Sequence, residues 1–256
     1  MVVVTFSKVK SMTSATVQAE SATKPAAKLR RQFVSFACFQ VDPAWRRLPK
    51  ELRDQGKEEF EAIVNRYNSE KICQILSYTT MGTRPDVDLM LWVIAYELEP
   101  VQQLTTDLMK TSLGAYMKRP YSFLAMTKRS MYLDRIDPEH QEDRVHIIPG
   151  KHKYFFVYPF VKKREWYVLS QSERQEIMDE HIKVGNKYPS VKLNTTYSFG
   201  LDDQEFVVAF ETDSPSDFLD LVQELRESKA SMYTLRDTPI LTCLFKPIRE
   251  AVDSLG

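Results

Sequence analysis

The chain has 256 residues with 35 Lys+Arg balanced by 35 Asp+Glu. Zero net charge gives no electrostatic drive toward nucleic acid or an anionic membrane surface. The longest apolar run, Leu89–Tyr96, is far short of the roughly 20 residues a membrane helix needs. Three cysteines, Cys38, Cys73 and Cys243, with no C-x-x-C, exclude a disulfide framework and a thiolate zinc site and favour a reducing, cytoplasmic setting. No phosphate-cradling glycine loop occurs, and the four histidines never fall as H-x-x-x-H.

In chain order, residues 1–31 come first, rich in Ser, Thr, Ala and Lys. This arm lacks the apolar content to order itself and reads as a disordered or organelle-targeting segment. A weak duplication follows, visible when Phe33–Tyr67 is set against Tyr154–Tyr188. Each copy opens with a strand rich in β-branched and aromatic residues, FVSFACFQV or YFFVYPFV. Each then has a tryptophan, Trp45 or Trp166, three residues before a leucine. A charged helix ends in Asn65–Tyr67 or Asn186–Tyr188 at the same distance from that tryptophan. A Thr-Thr pair, a glycine and acids precede a second strand, Asp88–Tyr96 or Glu205–Glu211, and a second helix and last strand close each copy. Ser170 with Glu173 forms a capping-box pattern before a helix over Ser172–Val184, and Pro49 marks the start of its counterpart. Ser214-Pro215 starts a helix with Phe218, Leu221, Val222 and Leu225 on one face.

Each copy is therefore βαββαβ-like, the ferredoxin-like arrangement. The expected fold is α+β, two duplicated repeats packing sheet to sheet around a shared interior. The repeats span 32–140 and 141–256, and Met117–Pro149 links them. Any ligand belongs between a helix and its sheet.

A duplicated fold with one site should differ at that site. His181 falls opposite Phe60, on the apolar side of its helix with Ile177, Met178 and Val184. On residues alone, a satisfied core histidine is the commoner reading; an axial haem ligand is the sharper one. Tyr158, inside Y-P-x-x-K, reads alone as a half-buried strand tyrosine, and Pro159 suggests an edge or bulge. Trp166 alone reads as core.

The pattern Y-P-F-V-K-K-x-x-W-Y-x-L (Tyr158–Leu169), then Arg174, Met178, His181, Lys187-Tyr188, Gly200–Phe206 and Tyr233–Ile240, resembles the chlorite dismutase-like family over roughly residues 32–250. The resemblance implies a dimeric α+β barrel, a homo-oligomer that is often a pentamer, and haem in the C-terminal repeat on His181. Two chemistries are implied. One converts chlorite to chloride and dioxygen. The other uses hydrogen peroxide to turn coproheme III into haem b. Chlorite-degrading members carry a distal arginine thirteen positions after the histidine, where this chain has Asn194. They also carry an acid partner for the histidine, where this chain has Ala230. Tyr158 matches the redox tyrosine of the decarboxylase branch.

The resemblance thus implies catalytic Tyr158 and Lys162, cofactor contacts at Arg144, Trp166, Asn194 and His181, and iron on His181. Arg144 would hold a propionate, and Lys162 would pair with another or supply a proton. Coproheme would be both substrate and redox centre. Chlorite turnover and a non-catalytic haem-binding oligomer are the competing readings.

Overall fold

The computed structural model describes residues 30–132 and 146–256. The first set of elements is β1 (Phe33–Val41), α1 (Lys50–Ser69), β2 (Gln74–Thr79), β3 (Leu89–Ala95), α2 (Glu99–Met109) and β4 (Met117–Met126). The second is β5 (Tyr154–Lys162), a short α3 (Glu165–Val168), α4 (Gln171–Gly185), β6 (Val191–Tyr197), β7 (Phe206–Thr212), α5 (Pro215–Glu227), β8 (Thr234–Arg236) and β9 (Leu241–Phe245). A last helix, α6 (Ile248–Asp253), follows. β4 occupies the start of the segment read from sequence as a connector. Its exposed opening run Lys118, Arg119 and Pro120 masked a strand whose later buried residues, Phe123 and Ala125, alternate toward the barrel.

The strands run antiparallel in the order β4-β1-β3-β2 in the first set and β9-β5-β7-β6 in the second. Two short seams join these sheets. Met126 pairs with Tyr197 across β4–β6, and Tyr78 and Thr79 pair with Phe245 and Leu244 across β2–β9. The eight strands thereby close into a barrel, the duplicated α+β barrel expected, and closure removes exposed sheet edges.

Strand alternation sorts the apolar residues into three layers. The barrel interior holds Phe36, Tyr78, Trp92, Phe155, Val207 and Ala209, all buried. Phe155 from the second sheet lies 4.6 Å from Tyr78 and 4.8 Å from Trp92 of the first, so aromatic contacts lock the sheets together. Outside the first sheet, α1, α2 and α6 build a large core around Trp45, Phe60 and Leu104. Outside the second, the buried cluster is only Phe156, Tyr158, Phe210 and Leu221.

Pro159 lies where β5 is paired on one side only, with β7. β9 pairs with β5 up to Val157, β8 takes over at Val161, and a register shift falls between Val161 and Lys162. Proline's missing N–H is tolerated in that gap.

Candidate functional site

α4 begins as its sequence dictates. Ser170 Oγ accepts from the Glu173 backbone N–H at 3.3 Å, and Glu173 Oε2 accepts from the Ser170 N–H at 2.8 Å. From that fixed start, residues 174, 177, 178, 181 and 184 fall on the stripe facing the sheet. None of the residues of α4 is fully buried, whereas α1 buries Gly56, Lys57, Phe60, Val64 and Tyr67.

His181 stands on this stripe. Its Nδ1 is buried without a hydrogen-bond partner. Burial, reinforced by the charge of Lys162 and opposed by Glu180, lowers its pKa to about 4. The ring is therefore neutral at pH 7 and keeps a lone pair free. Ala230 is buried in the 3₁₀ segment Lys229–Tyr233, which packs on α4, so that position supplies no acid to the imidazole.

Lys162 ends β5. Its Nζ lies 4.1 Å from the centroid of the Trp166 ring and 5.5 Å from that of Phe160. Burial brings its pKa down to about 8, against the pull of Glu205. Because the Lys162 charge acts on His181, strand end and helix share one site.

Tyr158 points to the same side of β5 as Phe160 and Lys162, since alternate strand residues share a face. It is buried, opposite Val208, with its ring 6.0 Å from Phe210. Burial, then the charge of Asp237, pushes its pKa up to about 12. Its hydroxyl stays protonated at any physiological pH. Trp166 is buried between Tyr233 at 5.4 Å and Tyr132 at 6.3 Å.

Asn194 is not brought to this site. On β6, Val191 belongs to the helix-side cluster, so residues 191, 193 and 195 face α4 and residues 192, 194 and 196 face the barrel interior. Asn194 Nδ2 donates to Glu211 Oε1 at 3.0 Å on that interior side. The residue facing α4 is its neighbour Leu193, 53% exposed, with Thr195 beyond it. A count of residues from the histidine lands one position off, and a one-residue slip reverses the face. Counting the alternation back from the buried Thr196 would have found Leu193. Arg144 lies outside the described residues.

One participant passed unnoticed within the G-L-D-D-x-E-F motif. The Glu205 carboxylate accepts from Tyr167 Oη at 2.5 Å, the Lys162 N–H at 2.8 Å and Arg164 Nη1 at 3.3 Å. It ties the end of β5 to α3 and so fixes Lys162 over Trp166. Among the described residues, no group of three or more His, Cys, Asp or Glu side chains could hold a metal ion by itself. One histidine in an apolar, cation-lined setting is instead suited to a metal that arrives with its own equatorial ligands.

Comparison with known proteins bears on that chemistry. A family model described as chlorite dismutase matches residues 53–246. The coproheme decarboxylase of Mycolicibacterium smegmatis is 32% identical over 166 residues, covering 64% of this chain and 70% of that protein. A mutant chlorite dismutase from Candidatus Nitrospira defluvii superposes with a TM-score of 0.80 at 30% identity, covering 87% of this chain and 94% of that one. The same protein in complex with imidazole gives 0.79 over the same shares. A haem-binding protein from Thermus thermophilus, at 24% identity and a TM-score of 0.79 over 89% of this chain and 95% of its own, shares the fold.

Proposed function

This chain belongs to the chlorite dismutase family, and we propose that it is a haem-binding oxidoreductase catalysing the hydrogen peroxide-dependent oxidative decarboxylation of coproheme III to haem b. The observation carrying this reading is the convergence of His181, Lys162 and Tyr158 on one face of the second sheet, under a helix with no fully buried residue. A neutral imidazole with an unpartnered ring nitrogen fits an axial ligand. A buried ammonium fits a ligand that brings carboxylates.

Bound coproheme supplies the redox centre that peroxide oxidises. Tyr158 keeps its proton until it loses an electron and a proton together, because burial raises the cost of a free phenolate. The oxidised oxygen takes a hydrogen atom from the propionate β-carbon. A second electron would pass to the oxidised coproheme centre as the bond to the carboxylate breaks, and carbon dioxide would leave a vinyl group. Per propionate, one peroxide is consumed and two waters form. Lys162 neutralises a carboxylate or supplies a proton, and Glu205 and Trp166 hold it in place. Asn194 has no part in this chemistry.

Chlorite turnover is disfavoured by the same geometry. The β6 face toward α4 presents Leu193 and Thr195, neither able to hold an anionic intermediate with a fixed charge. His181 has no acid partner to strengthen it as a donor. The family reading also carries a ring-shaped homo-oligomer, with five copies favoured, which light scattering on the purified protein tests.

The functional test is to load apoprotein with coproheme, titrate hydrogen peroxide and follow the porphyrin by mass spectrometry. Stepwise loss of two propionate carboxyls is expected. A porphyrin that binds and is never converted would overturn the decarboxylase reading in favour of non-catalytic haem binding.

A further inference from the structure

Several cations on the outer side of the second sheet have an acid partner. Arg164 meets Glu205, Lys187 meets Glu224 and Arg226 meets Asp237. Arg174 differs. It is half-buried on α4, its Nε is buried without a hydrogen-bond partner, and no ion pair among the described residues includes it. It shares the sheet-facing stripe with His181, because positions 174, 178 and 181 follow the i, i+4, i+7 spacing of one helix face.

A second cation on this side also lacks a carboxylate of its own. The acid beside Lys162 is Glu205, whose oxygens are already engaged by Tyr167, Arg164 and the Lys162 backbone N–H. The two cations flank the same aromatic pair. Lys162 Nζ lies over Trp166, the Trp166 ring packs against Tyr132, and the Arg174 charge acts on Tyr132. The Tyr132 carbonyl accepts from Gln175, the residue after Arg174, at 3.2 Å. Two cations without a carboxylate of their own among the described residues are thus gathered at one end of the site.

We propose that Arg174 binds a carboxylate of the porphyrin and forms, with Lys162, a two-cation clamp on the side of the site nearest Trp166. This rests on the coproheme reading and adds a binding residue to it. The guanidinium fork matches a carboxylate in two parallel hydrogen bonds, which the ammonium of lysine cannot reproduce. A buried N–H with no acceptor in the free protein gains its first partner when the ligand arrives, so the contact favours the complex over the apoprotein.

The first half supplies the control. Arg53 holds the matching position in α1 and also has a buried, unpartnered Nε, but its helix is packed onto its sheet through Phe60 and Val64.

The experiment titrates coproheme and metal-free coproporphyrin III, which carry the same four carboxylates, into wild type, Arg174→Gln, Arg174→Lys and Arg53→Gln. Tryptophan fluorescence quenching reports affinity, and thermal melts of each apoprotein report folding. Arg174→Gln should weaken both ligands by roughly 10- to 100-fold, as loss of a charged hydrogen bond implies. Its apoprotein should melt no lower than wild type, a result that a merely structural arginine would not give. Arg174→Lys should recover part of the affinity, and Arg53→Gln should bind as wild type. Wild-type affinity in Arg174→Gln, or an affinity loss matched by a lower apoprotein melting temperature, overturns the assignment. Tight binding of both porphyrins without conversion of coproheme would sink the decarboxylase reading and leave Arg174 standing. Failure of wild type to bind either porphyrin overturns both.

Discussion

The two helix layers of this barrel follow one plan and end in opposite states. In the first, Trp45 reaches α1 at Gly56, where a Cβ would lie 2.8 Å from the Trp45 ring, so helix and strand end close tightly. Phe60 then fills the space over β1, edge-on to Phe39 at 6.2 Å, and α6 covers the outside. In the second, the equivalent positions are Trp166, Ile177 and His181. The side chains beneath them change from Ala37 and Val41 to Tyr158 and Lys162. Polar and ionisable groups replace packing on this face, and no residue of α4 becomes fully buried. One copy of the unit fills the helix–sheet space with packed apolar side chains, and the other leaves it loosely packed and lined by ionisable groups, the arrangement a bound ligand needs.

Variants that exchange the two states sharpen this contrast. The largest effect should come from Tyr158→Phe. Coproheme affinity should fall by at most one hydrogen bond, roughly 0.5–1.5 kcal/mol. Decarboxylation should drop by about two orders of magnitude or more, because the hydroxyl acts only in the reaction. Peroxide titration followed by mass measures this, and near-normal haem b formation would reduce Tyr158 to a strand residue.

Next in size is Phe60→Ala, which should cost about 3–5 kcal/mol by urea denaturation, as for other buried phenylalanines. The matching His181→Ala change should shift apoprotein stability by less than about 1 kcal/mol, since its helix is only loosely buried. Equal losses at the two positions would erase the contrast.

His181→Phe copies the first layer into the second and should raise apoprotein stability, more so at low pH. The sign follows from the lowered pKa. Between about 6.5 and about 4 the unfolded histidine binds a proton that the folded one refuses, so wild-type stability falls as pH drops through that window. The phenylalanine variant should lose that part of the acid sensitivity, read as the difference between melts at about pH 7 and about pH 4.5.

The smallest effect is expected from Lys162→Met. The folded pKa of Lys162, about 8, lies below the ordinary 10.5, so burial of its charge weighs against folding below pH 8 and is relieved as pH rises to 10.5. The variant should melt slightly higher than wild type at pH 7, and the gap should close at alkaline pH.

Much of this fold was legible in the sequence, because its signals are local. The capping box at Ser170 and Glu173, the matched Trp-to-Tyr spacing and the β-branched strands each specify an element without reference to its neighbours. β4 was hidden because it opens on Lys118, Arg119 and Pro120, an exposed run that does not read as a strand. The closing seams were hidden because pairing between distant strands leaves no local trace. The proposed site draws on the positions where the duplication itself differs, at His181 and Tyr158. Asn194 misled because counting along the chain carries no information about facing, and on β6 it is Leu193 and Thr195 that face α4. Arg174 stood in the motif with no role attached, since an arginine in an amphipathic helix is ordinary until its partners are known.

On the proposed function, the second layer alone binds the porphyrin, through His181. Coproheme titration of wild type and His181→Ala, read by the Soret band and electron paramagnetic resonance, tests it most directly. Wild type should bind one equivalent per chain, with a high-spin ferric signal from a single axial imidazole, and the variant should lose that signal and bind far more weakly. An unchanged spectrum and affinity in His181→Ala would contradict it.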